Sequence, residues 1–444
     1  MSSASLGGIN TGMHAKLVIG PMRTLFISAV SSSVAFGVPA DSSQFGFLRA
    51  NSDPAVRSSD SLRTNIEEQG AQPESESPGF VDREAWYDLP PWLYFSISDN
   101  SLYDDNIYLV SENTEGSWIH LLAPAFIASS GEEGTSIWQT TTSYTPVYAL
   151  YSSATRPSSF DQAMAAEINF NGNRLRASAQ LSYAEATAND RYVRDILTTT
   201  TTSSAILLNY DLSGKTSLIS RLYWRKTGRG LGSAGQVYSD EENIELEVSA
   251  LWQASGKTRL GPSLRLAATD SSLNSDRNSV AFLLRVDQDS SAKLSFSGGA
   301  GADYTSYDEG NGSKWGPSVD LAGNYAMNAL SGLRLNVYSR NSPSPSGASS
   351  DMEATGLTAS LSLNLNPGLR CSVGAGLEKA RYEYLLGLAG RSDTYSFGEV
   401  RISAGRPEKR LSMDLFYRHR LANSTIDSQD FLNNQIGLQL ALQF

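Results

Sequence analysis

Few residues of this chain could do covalent chemistry. Among 444 residues there are three histidines, His14, His120 and His419, and one cysteine, Cys371. Acyl transfer needs a nucleophile, a base and an orienting group within hydrogen-bond reach of one another. Ser412 and His419 are close in sequence, but they lie seven positions apart in what reads as one strand, about 20 Å at strand rise. No His, Cys and acid cluster falls at metal-ligand spacing, so no metal is expected. Gly298-Gly299-Ala300-Gly301 is not followed by a helix and lies within a strand pattern, so it does not read as a phosphate cradle. These glycines fit a bend or a thin stretch of wall. Neither enzymatic activity nor a cofactor is expected.

The abundant chemistry is charge on one face of alternating segments. Arg174, Arg176, Arg221, Arg225, Arg259, Arg265, Arg285, Arg334, Arg340, Arg370, Arg401, Arg418 and Arg420 occupy polar positions of such segments. So do Glu245, Glu247, Asp287, Asp303, Asp320, Glu378, Glu399 and Asp414. If these faces enclose a pore, the excess of arginine makes a cationic wall that concentrates anions and pairs with carboxylates. Arginines and acids could equally pair across strands and brace the wall. The register decides between the two.

The elements that would hold these side chains are strands. The chain ends in Ile436, Leu438, Leu440, Leu442 and Phe444, alternating with Gly437, Gln439, Ala441 and Gln443. A period of two gives one oily and one polar face. Leu440, Leu442 and the terminal Phe444 resemble the closing strand that the barrel-assembly machinery of the bacterial outer membrane recognises. Alternation recurs in Leu175, Ala177, Ala179, Leu181 and Tyr183, and again in Leu357, Ala359, Leu361, Leu363 and Leu365.

Short turn signals punctuate the chain at Gly131–Gly134, Asn171–Asn173, Leu212–Gly214, Ala254–Gly256, Gln288–Ser290, Ala329–Gly332, Asn366–Gly368 and Arg406–Glu408. Gly, Asn and Pro supply the backbone angles that hairpins need. Longer polar stretches, such as 229–238, 308–314, 341–351 and 422–433, alternate with them. Short turns on one rim and long loops on the other are the asymmetry of outer-membrane barrels. Eight turns and nine loops predict an all-β, antiparallel up-and-down transmembrane barrel of about 18 strands, over residues 86–444. The expected strands include 90–98, 117–130, 174–186, 202–212 and 355–366. Aromatics near strand ends form two sets, Trp138, Phe170, Tyr210, Trp252 and Phe444 against Tyr183, Trp224, Tyr304, Tyr384 and Tyr417. Such rings favour the headgroup level.

Composition fits that class. Hydrophobic residues make up 40% of the chain and the mean hydropathy is -0.27, as expected when half of each strand faces water. A net charge of -11 argues against nucleic-acid partners. Met22-Arg23 followed by Leu25-Phe26-Ile27 and later by Val38-Pro39-Ala40 reads as a signal peptide over 1–40. Residues 41–85 are Ser-, Glu- and Pro-rich without periodicity, and read as a flexible periplasmic segment.

The start of the barrel carries Tyr94-Phe95-Ser96-Ile97-Ser98-Asp99-Asn100, then Asp105-Asn106, then Leu121-Leu122-Ala123-Pro124. Together with Tyr144-Thr145-Pro146, this resembles the β-barrel porin 2 family, whose members open with an aromatic strand ending in Asp-Asn. The resemblance covers about residues 90–444 and implies polysaccharide passage, since such barrels often accompany exopolysaccharide or capsule synthesis. The expected partners are outer-membrane lipid, the barrel-assembly machinery, periplasmic polysaccharide-export proteins and an anionic polysaccharide, whose charge the arginine-rich face would suit. The expectation is a conduit for an acidic exopolysaccharide. The alternatives are a small-solute diffusion porin and a structural or adhesive barrel without transport. A porin requires a loop folded into the lumen, and no loop looks long enough.

Overall fold

The computed structural model describes residues 92–444, apart from 132–135, 154, 233–234, 292, 309–311, 346–348, 367, 385–389 and 406–409. The expected signal segment 1–40 and linker 41–85 lie outside the described residues, as do the turns expected around 132–134 and 406–408 and the side chain of Tyr384.

The described chain is one sheet of 18 antiparallel strands. They are β1 (Leu93–Asp104), β2 (Ser117–Ser130), β3 (Trp138–Tyr151), β4 (Ser159–Asn171), β5 (Leu175–Asp190), β6 (Asp195–Ser213), β7 (Thr216–Arg229), β8 (Glu241–Ser255) and β9 (Thr258–Ser271). They continue as β10 (Arg277–Ser291), β11 (Leu294–Tyr307), β12 (Ser313–Asn328), β13 (Ser331–Pro343), β14 (Ser349–Asn366), β15 (Leu369–Tyr384), β16 (Arg391–Gly405), β17 (Leu411–Ser424) and β18 (Phe431–Gln443). Each strand pairs with its sequence neighbours, and β1 pairs with β18 to close the barrel. Closure removes every free strand edge, which hydrocarbon demands because no water is there to satisfy backbone groups. The last backbone amide, that of Phe444, donates to the carbonyl of Phe95 at 2.8 Å and seals the seam.

The outward face is apolar. Phe282, Leu284 and Leu377 are more than half exposed, as are Trp138, Leu365 and Leu411. A soluble protein rarely leaves so large a contiguous apolar surface in water. Girdle rings pair across strands: Trp138 with Phe170 at 4.8 Å, Tyr304 with Trp315 at 5.1 Å, and Phe95 with Phe444 at 5.6 Å. An oily belt bounded by aromatic rings around a closed barrel places the protein in the bacterial outer membrane.

Several strands extend beyond the sequence expectation, three of them by six residues or more. β1 runs to Asp104 rather than residue 98, β6 begins at Asp195 rather than 202, and β14 begins at Ser349 rather than 355. The β5–β6 ladder stays in register to the pair Asp190 and Asp195. Its upper part, Thr198-Thr199-Thr200-Thr201-Thr202, lacks apolar alternation and so reads as loop from sequence. Cross-strand pairing keeps it extended.

The rule of apolar outside and polar inside fails at β2. Trp118, Leu122 and Phe126 point outward, yet Ile119, Ala123 and Ala125 are buried on the inner face. The reason is a segment, 105–116, that folds inward. Ile107 from it packs on Leu102, Ile119 and Phe416. Leu109 packs on Tyr395, Ala422 and Phe431. Here the barrel interior has a small apolar core.

Candidate functional site

The inner wall positions most of the charged residues expected there. Arg176 on β5 meets Asp211 at 3.3 Å. Arg225 on β7 meets Glu241 at 3.4 Å. Glu247 on β8 is 5% exposed and sits between Arg285 at 2.5 Å and Arg265 at 3.4 Å, with the Ser263 hydroxyl donating at 3.0 Å. Arg265 also reaches Glu245 at 3.6 Å. Arg259 lies 3.9 Å from Asp287. On the far wall Glu399 holds Arg401 at 3.0 Å and Arg418 at 2.6 Å, and Asp414 lies 4.0 Å from Arg401. Asp303, Asp320 and Arg334 share this inward parity on β11, β12 and β13, and Arg370 on β15 donates to Asn364 at 3.0 Å. Arg174 does not belong to the wall. It is exposed in the turn between β4 and β5, because the strand begins one residue later.

Of the two arrangements left open by the sequence, a cationic wall and a bracing ladder, these contacts form largely the ladder. The two-residue alternation brings Arg and Glu of neighbouring strands opposite each other, as with Glu247 and Arg265. Arg221 and Arg340 stand apart. No carboxylate partner is found for either among the described residues, and each guanidinium lies over a tyrosine ring, Tyr223 at 5.6 Å and Tyr338 at 5.3 Å. Ser412 and His419 point to opposite faces of β17, since they are an odd number of residues apart.

The feature that sequence reasoning missed is an obstruction. The β5–β6 hairpin does not stand upright on the rim but crosses the lumen to the opposite wall. Its turn, residues 191–194, reaches β15, β16 and the loop before β18. Arg191 pairs with Glu378 at 2.9 Å, and the Tyr192 hydroxyl reaches the same carboxylate at 3.3 Å. The Arg191 guanidinium stacks over Tyr395 at 4.4 Å. Arg194 donates to the Gln429 carbonyl at 3.0 Å, approaches Asp393 at 3.8 Å and stacks over Phe431 at 4.4 Å. Burial pulls the Arg194 guanidinium down to about 10, with Asp393 opposing the shift. Arg194 itself has φ 58°, the left-handed angle that lets the turn close in four residues. The expectation that no loop could constrict the barrel is thus corrected: paired strands, rather than a long loop, supply the reach. Arg191, Tyr192 and Arg194 between two predicted strands were the available signal.

The inward segment 105–116 supports the hairpin from beside. Asn106 is 1% exposed, and its side-chain amide donates to the carbonyls of Val110 at 2.8 Å and Leu432 at 2.9 Å. Its backbone amide donates to Asp104 at 2.9 Å. Asp104 in turn accepts from Gln435 at 2.6 Å and lies 3.9 Å from Arg420. Asn189 of the hairpin donates to the Ile107 carbonyl. So β1, β17, β18, the inward segment and the hairpin form one hydrogen-bonded block.

The space left lies on the other side of the hairpin. A cavity of about 460 Å³ is bounded by hairpin residues such as Ala188, Asn189 and Tyr192 and by the walls of β6 to β14. Its charged lining comprises Arg225, Arg229, Arg265, Arg277, Lys314 and Arg340 against Asp190, Glu241, Glu245, Asp303, Glu353 and Glu383, six of each sign. The cavity lining is balanced in formal charge rather than cationic.

A barrel that is oily outside, polar inside and narrowed by its own chain is a transmembrane conduit. It is similar to solved outer-membrane proteins: OpdK of Pseudomonas aeruginosa, crystallised with vanillate (TM-score 0.43, 10% identity, 79% of this chain and 99% of that one). A BenF-like porin from Pseudomonas fluorescens Pf-5 gives a TM-score of 0.47 at 8% identity, over 80% of this chain and 98% of that one. OccAB3 of Acinetobacter baumannii gives 0.41 at 10% identity, over 79% and 99%. No family model and no curated protein matches the chain, so the likeness to the β-barrel porin 2 family stands on its short motifs alone.

Proposed function

We propose that the protein is a diffusion conduit for small polar solutes, without a strong charge preference, rather than an exporter of polysaccharide. The observation that carries this is the β5–β6 hairpin pinned across the lumen by Arg191 and Arg194. An extended polymer needs a continuous bore. A cavity of about 460 Å³ is the size of a site for a single small molecule. Unpaired inward charge is matched: Arg221 and Arg340 lack carboxylate partners, and Asp303 and Asp320 lack cationic ones, among the described residues. The ion-pair ladder contributes nearly nothing to net selectivity because each charge is offset within a few ångströms.

The test is planar-bilayer conductance of the refolded barrel and of a variant lacking residues 189–196. The intact barrel is expected to show a small, stable conductance, and the deletion a several-fold larger one. Equal conductances would reject the hairpin as the constriction. Passage of large dextrans through the intact barrel would reject the small-solute reading.

A further inference from the structure

The outward face of β1 and β2 breaks the apolar pattern at its centre. Asp99, Ser101 and His120 point outward, on the same side as Ile97, Tyr103, Trp118 and Leu122. Asp99 lies four residues above Phe95 of one girdle and four below Tyr103 of the other. It therefore sits near the middle of a belt that is about 25 Å tall. Other outward charges differ in level: Glu185 and Lys226 lie beyond the girdle residues Tyr183 and Trp224 of their own strands.

The three side chains are joined. Ser101 Oγ is 3.1 Å from Asp99 Oδ2 and 2.9 Å from His120 Nδ1. This is not an acyl-transfer triad, because serine stands between acid and imidazole, where the imidazole should stand between acid and serine. Nor does the cluster close on itself. Ser101 has one proton for two neighbours. Whichever way it points, His120 Nε2 and the second carboxylate oxygen of Asp99 find no partner among the described residues. In hydrocarbon, a group left so is costly. Around it lie exposed apolar side chains: Trp118, Leu122, Leu150, Leu438 and Leu440.

We propose that this face is a lateral interface with a second copy of the same barrel. With the His120 ring protonated at Nε2, the cluster offers an N–H donor and a carboxylate acceptor together, the two halves of a hydrogen bond. A second copy of the patch supplies the complement of each, as an interface made of one repeated surface requires. The apolar ring excludes lipid and seals the contact. A polar contact of this kind within a membrane strengthens association by about tenfold.

The experiment is fluorescence-energy-transfer dilution of the full-length barrel in liposomes over a range of protein-to-lipid ratios. The native protein is expected to associate reversibly, and D99L/H120L to associate about tenfold more weakly while its folded, heat-modifiable band on gels is retained. A native protein that stays monomeric at the highest ratio overturns the proposal, as does unchanged association of the double variant. Cysteine cross-linking gives an independent reading. L122C in a C371S background should cross-link to a dimer. Cys371, which faces outward on distant β15, should not, and the reverse pattern overturns the interface. Release of fatty acid from phospholipid, lost in S101A, would make the patch a hydrolytic site and overturn it likewise.

Discussion

At the scale of single residues, the inner wall is governed by desolvation. Glu247 is nearly buried and neutralises two arginines at once. Removing one member of such a group leaves uncompensated charge behind, which costs more than the pair was worth. Glu247→Ala is expected to destabilise the folded barrel by about 2 kcal/mol, read by urea unfolding followed on gels. It should also raise the anion-to-cation permeability ratio, because Arg285 loses its counter-charge and Arg265 keeps only Glu245. A stable variant with unchanged reversal potential would show that these arginines are balanced elsewhere. Arg340→Ala should move selectivity the other way, toward cations, with stability nearly unaffected. The difference follows from environment: Arg340 is exposed and stacked on Tyr338, not bonded to an acid.

At the scale of elements, strand pairing decides what protrudes. β5 and β6 stay paired past the girdle, and this stiff ribbon can span the bore where a loose loop of equal length would be disordered. Its anchoring is local and specific, with cation–ring stacking at Tyr395 and Phe431 added to ion pairs. Elsewhere the wall is thinned. Gly298 on β11 has φ 147°, and an added Cβ would collide with the Asp320 carbonyl and Leu321 of β12. Gly298→Ala is expected to cost about 1–3 kcal/mol and lower the yield of refolded barrel, measured by heat-modifiability. A normal yield would mean that β11 and β12 can part without penalty. The glycine run was visible in the sequence, where it read as a bend or a thin stretch of wall.

At the scale of the whole molecule, closure and insertion are the governing events. Phe444 lies at the seam, bonded to Phe95 through its backbone amide and stacked near its ring. Deleting Phe444 should reduce the amount of assembled barrel in outer membranes by several-fold, read by surface protease protection, while refolding in detergent is less affected. Loss in both would assign Phe444 to the stability of the seam, rather than to recognition during assembly.

The number of strands, their order and the oily face were legible in the sequence, because a period of two and turn residues are local properties written into neighbouring positions. Leu175 to Tyr183 and Ile436 to Phe444 declare their faces without reference to any other part of the chain. The balance of the lumen was not legible. Whether Arg265 stands bare or beside Glu247 depends on register between strands, and whether Ile119 faces lipid or a folded-in segment depends on where 105–116 goes. The hairpin across the bore was hidden for the same reason. Arg191 and Arg194 find Glu378, Asp393 and Phe431 nearly two hundred residues or more away, and only closure of the barrel brings those walls within reach.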